Sequence, residues 1–253
     1  NIYNKKKSSS DEAELRRIAG DRREEVVGSY QLILELVEGG AFQPHTIDSR
    51  YKRPLVNQII EPVAEFNPEL VLSHLDHACD LMKAEQSVTA AEVMCHHLQD
   101  LVEHNPGSFE DLSSVIQSLL ESEHAHPQRR AYDLLRTTLR VQDQQTVEDS
   151  VFGETALVSK TCETITTTNS AWLQRSCCVT LSRYNLSESD YETIAGTTDA
   201  LIELFQVGGD KRGNSIKAGL EDILIGVHTQ EELKELLSKI QISDEAAYRC
   251  SRA

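Results

Sequence analysis

SFEDLSSVIQSLLESEHAHPQRRAYDLLRTTLRVQD, residues 108–143, decides the fold class. Its first half sets Phe109, Leu112, Ile116 and Leu119 at helical spacing, and Val115 and Leu120 widen the apolar face. His124-Ala125-His126-Pro127 interrupts the pattern, and Pro127 suits a first helical turn, where a missing N–H costs nothing. The second half is expected to bury Ala131, Leu134, Leu135, Thr138 and Leu139. The stretch therefore reads as one helical hairpin.

Working outward, the same unit recurs. Towards the N-terminus, residues 1–9 form a lead-in, Ser10 or Asp11 caps a short helix through Ala19, and Gly20 ends it. Asp21 opens a helix with Val26, Tyr30, Ile33, Leu34 and Val37 on one face, stopped by Gly39-Gly40. After a loop, Asp48 or Ser49 caps a helix bearing Val56, Ile59, Ile60 and Val63, which Pro62 is expected to kink or end. Asn67-Pro68 starts one with Val71, Leu75, Ala78 and Met82 on its core side. Ser87 caps the next, which carries Ala91, Cys95, Leu98, Leu101 and Val102 up to His104-Asn105-Pro106-Gly107.

Towards the C-terminus, Asp143 precedes a helix with Val147, Val151, Val158 and Cys162, then a Thr-rich loop, TITTTNS. A helix from about Asn169 to Tyr184 carries Leu173, Cys177 and Leu181. Ser187 or Ser189 caps another with Tyr191, Ile194, Leu201, Ile202 and Phe205, stopped by Gly208-Gly209. Ile216, Leu220, Ile223 and Val227 mark the next, and Leu233, Leu236, Leu237 and Ile240 the last.

Second helices of successive pairs start near Ser87, Pro127, Asn169 and Gly213, with Leu98, Leu135, Leu181 and Leu220 in register. A helix pair repeating every ~40 residues has the period of HEAT and armadillo units. Each pair exposes an apolar face unless a neighbour covers it, so such pairs stack. The turn and helix HPQRRAYDLLRTTLR resembles the second helix of a HEAT repeat, with a basic pair before a small residue and leucines after. TAAEVMCHHLQDLV, WLQRSCCVTLSRY and NSIKAGLEDILIGV match by pattern more than by identity, which leaves HEAT and armadillo-like repeats both open. The resemblance implies an all-α fold, a right-handed α-solenoid of about five hairpins. The domain expectation is a flexible lead-in and short helix at 1–20, the solenoid at 21–242 and a tail at 243–253. Such solenoids serve as scaffolds, adaptors and transport receptors, and some resemble alkylpurine glycosylases or chromophore lyases.

Composition narrows the choice. The formal charge of −16 repels nucleic acid and favours solubility, and it argues against the glycosylase-like alternative, which must neutralise phosphates. No apolar run approaches the ~18 residues a membrane span needs. The first residues are basic and polar with no hydrophobic stretch behind them, so no secretory signal is expected, and the missing initiator Met suggests a trimmed fragment. Cys79, Cys95, Cys162, Cys177, Cys178 and Cys250 form no C-x-x-C pair and read as buried, reduced thiols, which implies a cytoplasmic protein.

His74, His77, Cys79, Cys95, His96 and His97 fall on one expected helix pair and include zinc-ligand residue types. Solvent-edge histidines beside buried cysteines explain them better, so no metal or cofactor is expected. Residues 208–215, GGDKRGNS, open a helix but lack the G-K-[ST] ending and preceding strand of a P-loop. Trp172 reads as packed between helices, and Lys5-Lys6-Lys7 as a solvated tail. Nucleophile and metalloprotease motifs are absent, so no catalytic residue and no enzymatic activity are expected.

What remains is a charge pattern. Arg129, Arg130, Arg136, Arg140, Arg175 and Arg183 lie on proposed second helices, whereas the first helices of those repeats are acidic. Second helices line the concave side of a HEAT-like stack. The expectation is a non-enzymatic scaffold or adaptor with these six arginines as a basic inner stripe for a protein or acidic peptide. The competing explanation is that the arginines pair with neighbouring acids.

Overall fold

The computed structural model describes Arg17 and residues 22–39, 55–84, 88–153, 156–187, 189–190 and 192–197. Among these the regular structure is entirely helical, with no strand. The chain divides into two compact units, residues 1–119 and 120–253.

In the first unit, α1 (Arg23–Gly28) and α2 (Tyr30–Glu38) replace the single helix expected from Asp21. The break lies at Ser29, which has φ −107° and whose N–H is shared between the Glu25 and Val26 carbonyls at 3.1 Å each. Gly28 just before it has poor helix propensity, which makes this the cheapest place to tighten the turn. Tyr30, Leu34 and Val37 are buried, and Gly39 follows the last turn, as the spacing predicts.

The next helix, α3 (Leu55–Phe66), does not stop at Pro62; it runs one further turn through it. Proline inside a helix costs about 3 kcal/mol. Here Pro62, Val63 and Ala64 are all buried, and their packing offsets the lost hydrogen bond. The helix expected from Pro68 is in turn split, into α4 (Pro68–Leu72) and α5 (Leu75–Lys83). At the break the Ser73 hydroxyl donates to the Leu70 carbonyl at 2.7 Å, and His74 Nδ1 lies 2.8 Å from the same oxygen. Side chains thus compete there for an acceptor the helix would otherwise use.

The longest described helix, α6 (Val88–His104), is the centre of the unit and packs against α2, α3 and α5. It is buried nearly all round, with Ala90, Ala91, Val93, Met94, Cys95, Leu98, Leu101 and Val102 in the core. A 3₁₀ turn (Pro106–Ser108) leads to α7 (Phe109–Leu120), whose face Phe109, Leu112, Val115, Ile116 and Leu119 is buried as expected.

Side-chain contacts fix the helix directions. Gln31 and Glu38 of α2 meet His74 and His77 in the same chain order, so α2 and the α4–α5 segment run parallel. Asn57 donates to the Val93 carbonyl at 2.8 Å, Glu61 lies 3.6 Å from His104, and Asn105 donates to the Ala64 carbonyl. Hence α3 and α6 also run parallel.

The second unit opens with α8 (Ala125–Thr138), which buries Ala131, Leu134, Leu135 and Thr138 as expected, while Leu139 stays half-buried. The helix expected after Asp143 is interrupted. Asp143 caps α9 (Gln144–Val147) by accepting from the Thr146 N–H at 2.9 Å and hydroxyl at 2.6 Å, which holds its carboxyl below the usual range. The helix then widens into a π turn (Glu148–Phe152) closed by Gly153 N–H onto the Glu148 carbonyl. Gly153 has φ +61° and ψ −118°, a backbone state that a Cβ disfavours, and there the chain turns. Val147, Val151, Val158 and Cys162 are nonetheless all buried, so the face was legible although the helix is not continuous.

Most of the expected Thr-rich loop is helical, because α10 runs Leu157–Thr167. Ile165 is buried in its last turns, and Thr164, Thr166 and Thr167 donate to carbonyls three or four residues back. Those bonds satisfy the hydroxyls without leaving the helix, so only Thr168–Ser170 remains as connection. Ser170 then caps α11 (Ala171–Leu181), accepting from the Leu173 N–H.

The α10–α11 pair is an antiparallel hairpin. Gln174 near the start of α11 donates to the Ile165 and Thr168 carbonyls, and Tyr184 beyond its end meets Thr161 at 3.2 Å. Conversely α8 and α11 run parallel: Asp133 meets Ser176, and Gln144 accepts from the Asn185 N–H at 2.8 Å further along both. The expected second helices α6, α8 and α11 begin at Val88, Ala125 and Ala171. The interval widens where the π turn and Gly153 lengthen the chain between α8 and α11.

Candidate functional site

The six arginines all fall in the second unit. Arg129, Arg130 and Arg136 are on α8 and Arg175 on α11, while Arg140 and Arg183 stand just beyond the ends of those helices. Because α8 and α11 pack together and run parallel, Arg140 and Arg183 come to the same end, beside the Gln144–Asn185 contact. Both are exposed, and Arg136 and Arg175 are half-buried.

One arginine is drawn inward and two are paired. Arg130 is only 1 % exposed, so it does not line a surface as the stripe required. It occupies the core-facing side of α8 with Ala131, Leu134 and Thr138, where its charge had argued for the surface. Arg129 lies 3.8 Å and Arg136 3.9 Å from Asp133, and the Ser176 hydroxyl donates to the same carboxylate at 3.4 Å. Asp133 thus ties α8 to α11 and takes charge from two of the six.

The histidine–cysteine cluster does not assemble. His74 turns to Gln31 at 2.7 Å, His77 to Glu38 at 3.6 Å and His96 to Gln99 at 2.9 Å. His97 is buried against the Tyr30 hydroxyl at 2.9 Å. Burial raises the Cys79 thiol above its ordinary range, with the Lys83 charge and the Ser118 hydroxyl opposing. Among the described residues no group of three metal-ligand side chains converges. Cys79, Cys95, Cys162, Cys177 and Cys178 are buried and form no disulfide, in keeping with the spacing. Trp172 is not packed between helices: it is 53 % exposed, placed on the first turn of α11 away from buried Leu173 and Cys177. Ser87, Cys250, the lysines at 5–7 and the glycine-rich 208–215 lie outside the described residues.

Sequence reasoning missed a buried hydroxyl layer in the second unit. Tyr132 donates to Thr164 at 3.0 Å, Tyr184 meets Thr161, and Thr180 donates to the Tyr132 carbonyl at 3.2 Å. Burial pushes the Tyr132 and Tyr184 hydroxyls and the Cys177 thiol well up, and Cys162 to about 11, so these groups stay protonated and unreactive at neutral pH. The layer borders a cleft of about 600 Å³ between the start of α8 and the end of α10, also unforeseen. Four threonines in the five positions 164–168, with a tyrosine 32 residues before the first, were the only signal.

No known protein family and no curated protein matches the sequence. Among solved structures the chain is similar to the crystal structure of an engineered protein, at 14 % identity and a TM-score of 0.42, covering 89 % of this chain and 61 % of that one. The chain thus spans about three fifths of that protein's length, and so slight a likeness bears on neither fold nor function.

Among the described residues no helix is long and apolar enough to cross a membrane.

Proposed function

We propose that this chain is a non-enzymatic helical-repeat scaffold that binds an acidic segment of a protein partner along α8 and α11. The carrying observation is the parallel packing of these two helices, which gathers Arg136, Arg140, Arg175 and Arg183 on neighbouring elements of a protein whose formal charge is −16. Parallel stacking of like helices is what HEAT- or armadillo-like hairpins require, and it recurs inside the first unit as α2 with α4–α5 and α3 with α6. A local basic strip on an acidic body attracts a short acidic peptide while the remaining surface repels long polyanions.

The test is fluorescence anisotropy of a labelled oligo-glutamate peptide titrated with the full chain at low and moderate salt. Saturable binding, weakened by salt and at least tenfold by replacing Arg136, Arg140 and Arg183 with Glu, is expected. Equal affinity in the triple variant, or tighter binding of duplex DNA than of the peptide, would sink the proposal.

A further inference from the structure

The solvent side of α11 begins on a tryptophan. Trp172, Arg175, Ser176 and Val179 recur at helical spacing on one side of the helix, and Arg183 continues the line just past its end. All five reach solvent, whereas Leu173, Cys177 and Cys178 face the core. The Ser176 contact to Asp133 lays α8 alongside this line, with Arg129 and Arg136 drawn to the same carboxylate. Trp172 is the chain's sole tryptophan and is 53 % exposed. Among the described residues of the second unit it is the one large apolar side chain left so open to water.

Composition gives a second, independent indication. The sequences of α8 and α11 contain no lysine and no glutamate; their charged residues are Arg129, Arg130, Arg136, Arg175 and Asp133. The whole chain has 41 acidic residues against 25 basic ones, so this pair departs sharply from its surroundings. The departure follows the bias of protein-binding surfaces, where tryptophan and arginine are enriched and lysine and glutamate depleted. The reason is physical: indole and guanidinium are flat, weakly hydrated groups that give up water readily and stack, whereas an ammonium holds its water.

The two kinds of group are also separated along the pair. Trp172 stands at the start of α11, and Arg140 and Arg183 stand at the opposite end of the parallel pair. A helical rise of about 1.5 Å per residue puts the Arg183 end about 16 Å from Trp172. An extended segment, at about 3.3 Å per residue, covers that distance in about five residues. Charge alone gives an acidic segment no fixed register on a row of arginines, while an apolar contact at one end sets it.

Resting on the reading of α8 and α11 as a face for an acidic segment, we propose that the partner segment is bipartite. An aromatic residue covers Trp172, and acidic residues about five positions away meet the Arg140–Arg183 end.

The experiment titrates the full chain with two peptides that contain no tryptophan. One carries phenylalanine, a Gly/Ser spacer of about five residues and a run of glutamates; the other has serine in place of the phenylalanine. Anisotropy of dye-labelled peptides gives the affinities, and indole emission with unlabelled peptides reports on Trp172 alone. The phenylalanine peptide should bind about tenfold more tightly than its serine counterpart, shift the emission to shorter wavelength and shield it from iodide. The serine peptide should leave the emission unmoved. In Trp172→Ala the two peptides should bind alike, at the affinity the serine peptide has for the wild type. Trp172 is exposed, so the variant keeps its fold; were it to unfold, the emission shift and iodide shielding of the wild type decide the matter. Equal affinities for the wild type, an unmoved emission with the phenylalanine peptide, or an undiminished preference in folded Trp172→Ala would overturn the bipartite assignment and leave the acidic-segment reading standing. Failure of both peptides to bind would overturn the two together.

Discussion

Stability should fall steeply in mild acid because of one buried ring. His97 on α6 is 0 % exposed, its Nε2 lies 2.9 Å from the Tyr30 hydroxyl, and its Nδ1 has no hydrogen-bond partner. Burial lowers its pKa from 6.5 to about 3. Above pH 6.5 the ring is neutral whether the chain is folded or not, and the first unit keeps its full stability. Between 6.5 and about 3 the unfolded chain takes up a proton that the folded one refuses, so stability drops with falling pH. Each pH unit in that window costs about 1.4 kcal/mol, so roughly 2 kcal/mol is lost by about pH 5. His97→Gln keeps an amide near Tyr30 but cannot charge. Hydrogen exchange of the α6 amides, followed at about pH 7.5 and pH 5 in the full chain and corrected for intrinsic rates, measures the difference. The wild type should lose roughly 2 kcal/mol more protection than the variant. Equal losses in both proteins would refute the reasoning, because every other group is common to the two.

Leu135→Ala removes a side chain that is 0 % exposed in α8, and it should destabilise the second unit by about 2–5 kcal/mol. Urea unfolding followed by the fluorescence of Trp172, in the same unit, reads it, and an unmoved midpoint contradicts the packing described. Ser170→Ala deletes the α11 cap and should cost about 1 kcal/mol by the same assay. Cys95, Cys162, Cys177 and Cys178 should be alkylated only after urea is added, as mapped by peptide mass spectrometry; rapid labelling of the native protein would show that the thiols are not enclosed.

Apolar spacing was a dependable guide to faces and a poor one to continuity. Leu98, Leu135 and Leu181, aligned by spacing alone, are all buried. The errors share a cause, since each depends on a local backbone contest that periodicity does not register. At Ser73-His74 two side chains outcompete the helix for the Leu70 carbonyl. At Gly153 a left-handed backbone turns the chain between two helices that share one apolar face. At Pro62 and in the Thr-rich run the contest goes the other way. Pro62, expected to kink or end its helix, and the threonines, read as a loop, lie inside helices because neighbouring apolar groups are buried there. Propensity is a weak prior where tertiary burial of one turn is worth several kcal/mol.

The arginines show why the site was harder to read than the fold. A charge on a helix wheel is assigned to the surface by default, yet Arg130 is among the most buried side chains, one position before Ala131. Its neighbours on the wheel, Leu134 and Thr138, already belonged to the expected core, so its direction was available while its charge argued otherwise. Arg129 and Arg136 share a helix side, and Asp133 between them is the decisive residue. Asp133 engages both and reaches Ser176 on α11, so part of the basic strip stabilises the packing that creates it. Arg140 and Arg183 are the exposed members of the set and stand just beyond the ends of α8 and α11. Their placement at one end of the pair rests on parallel helix packing, a long-range relation set by contacts between residues some 41 to 43 positions apart. No local pattern encodes such a relation; only the regular interval between second helices hinted at it.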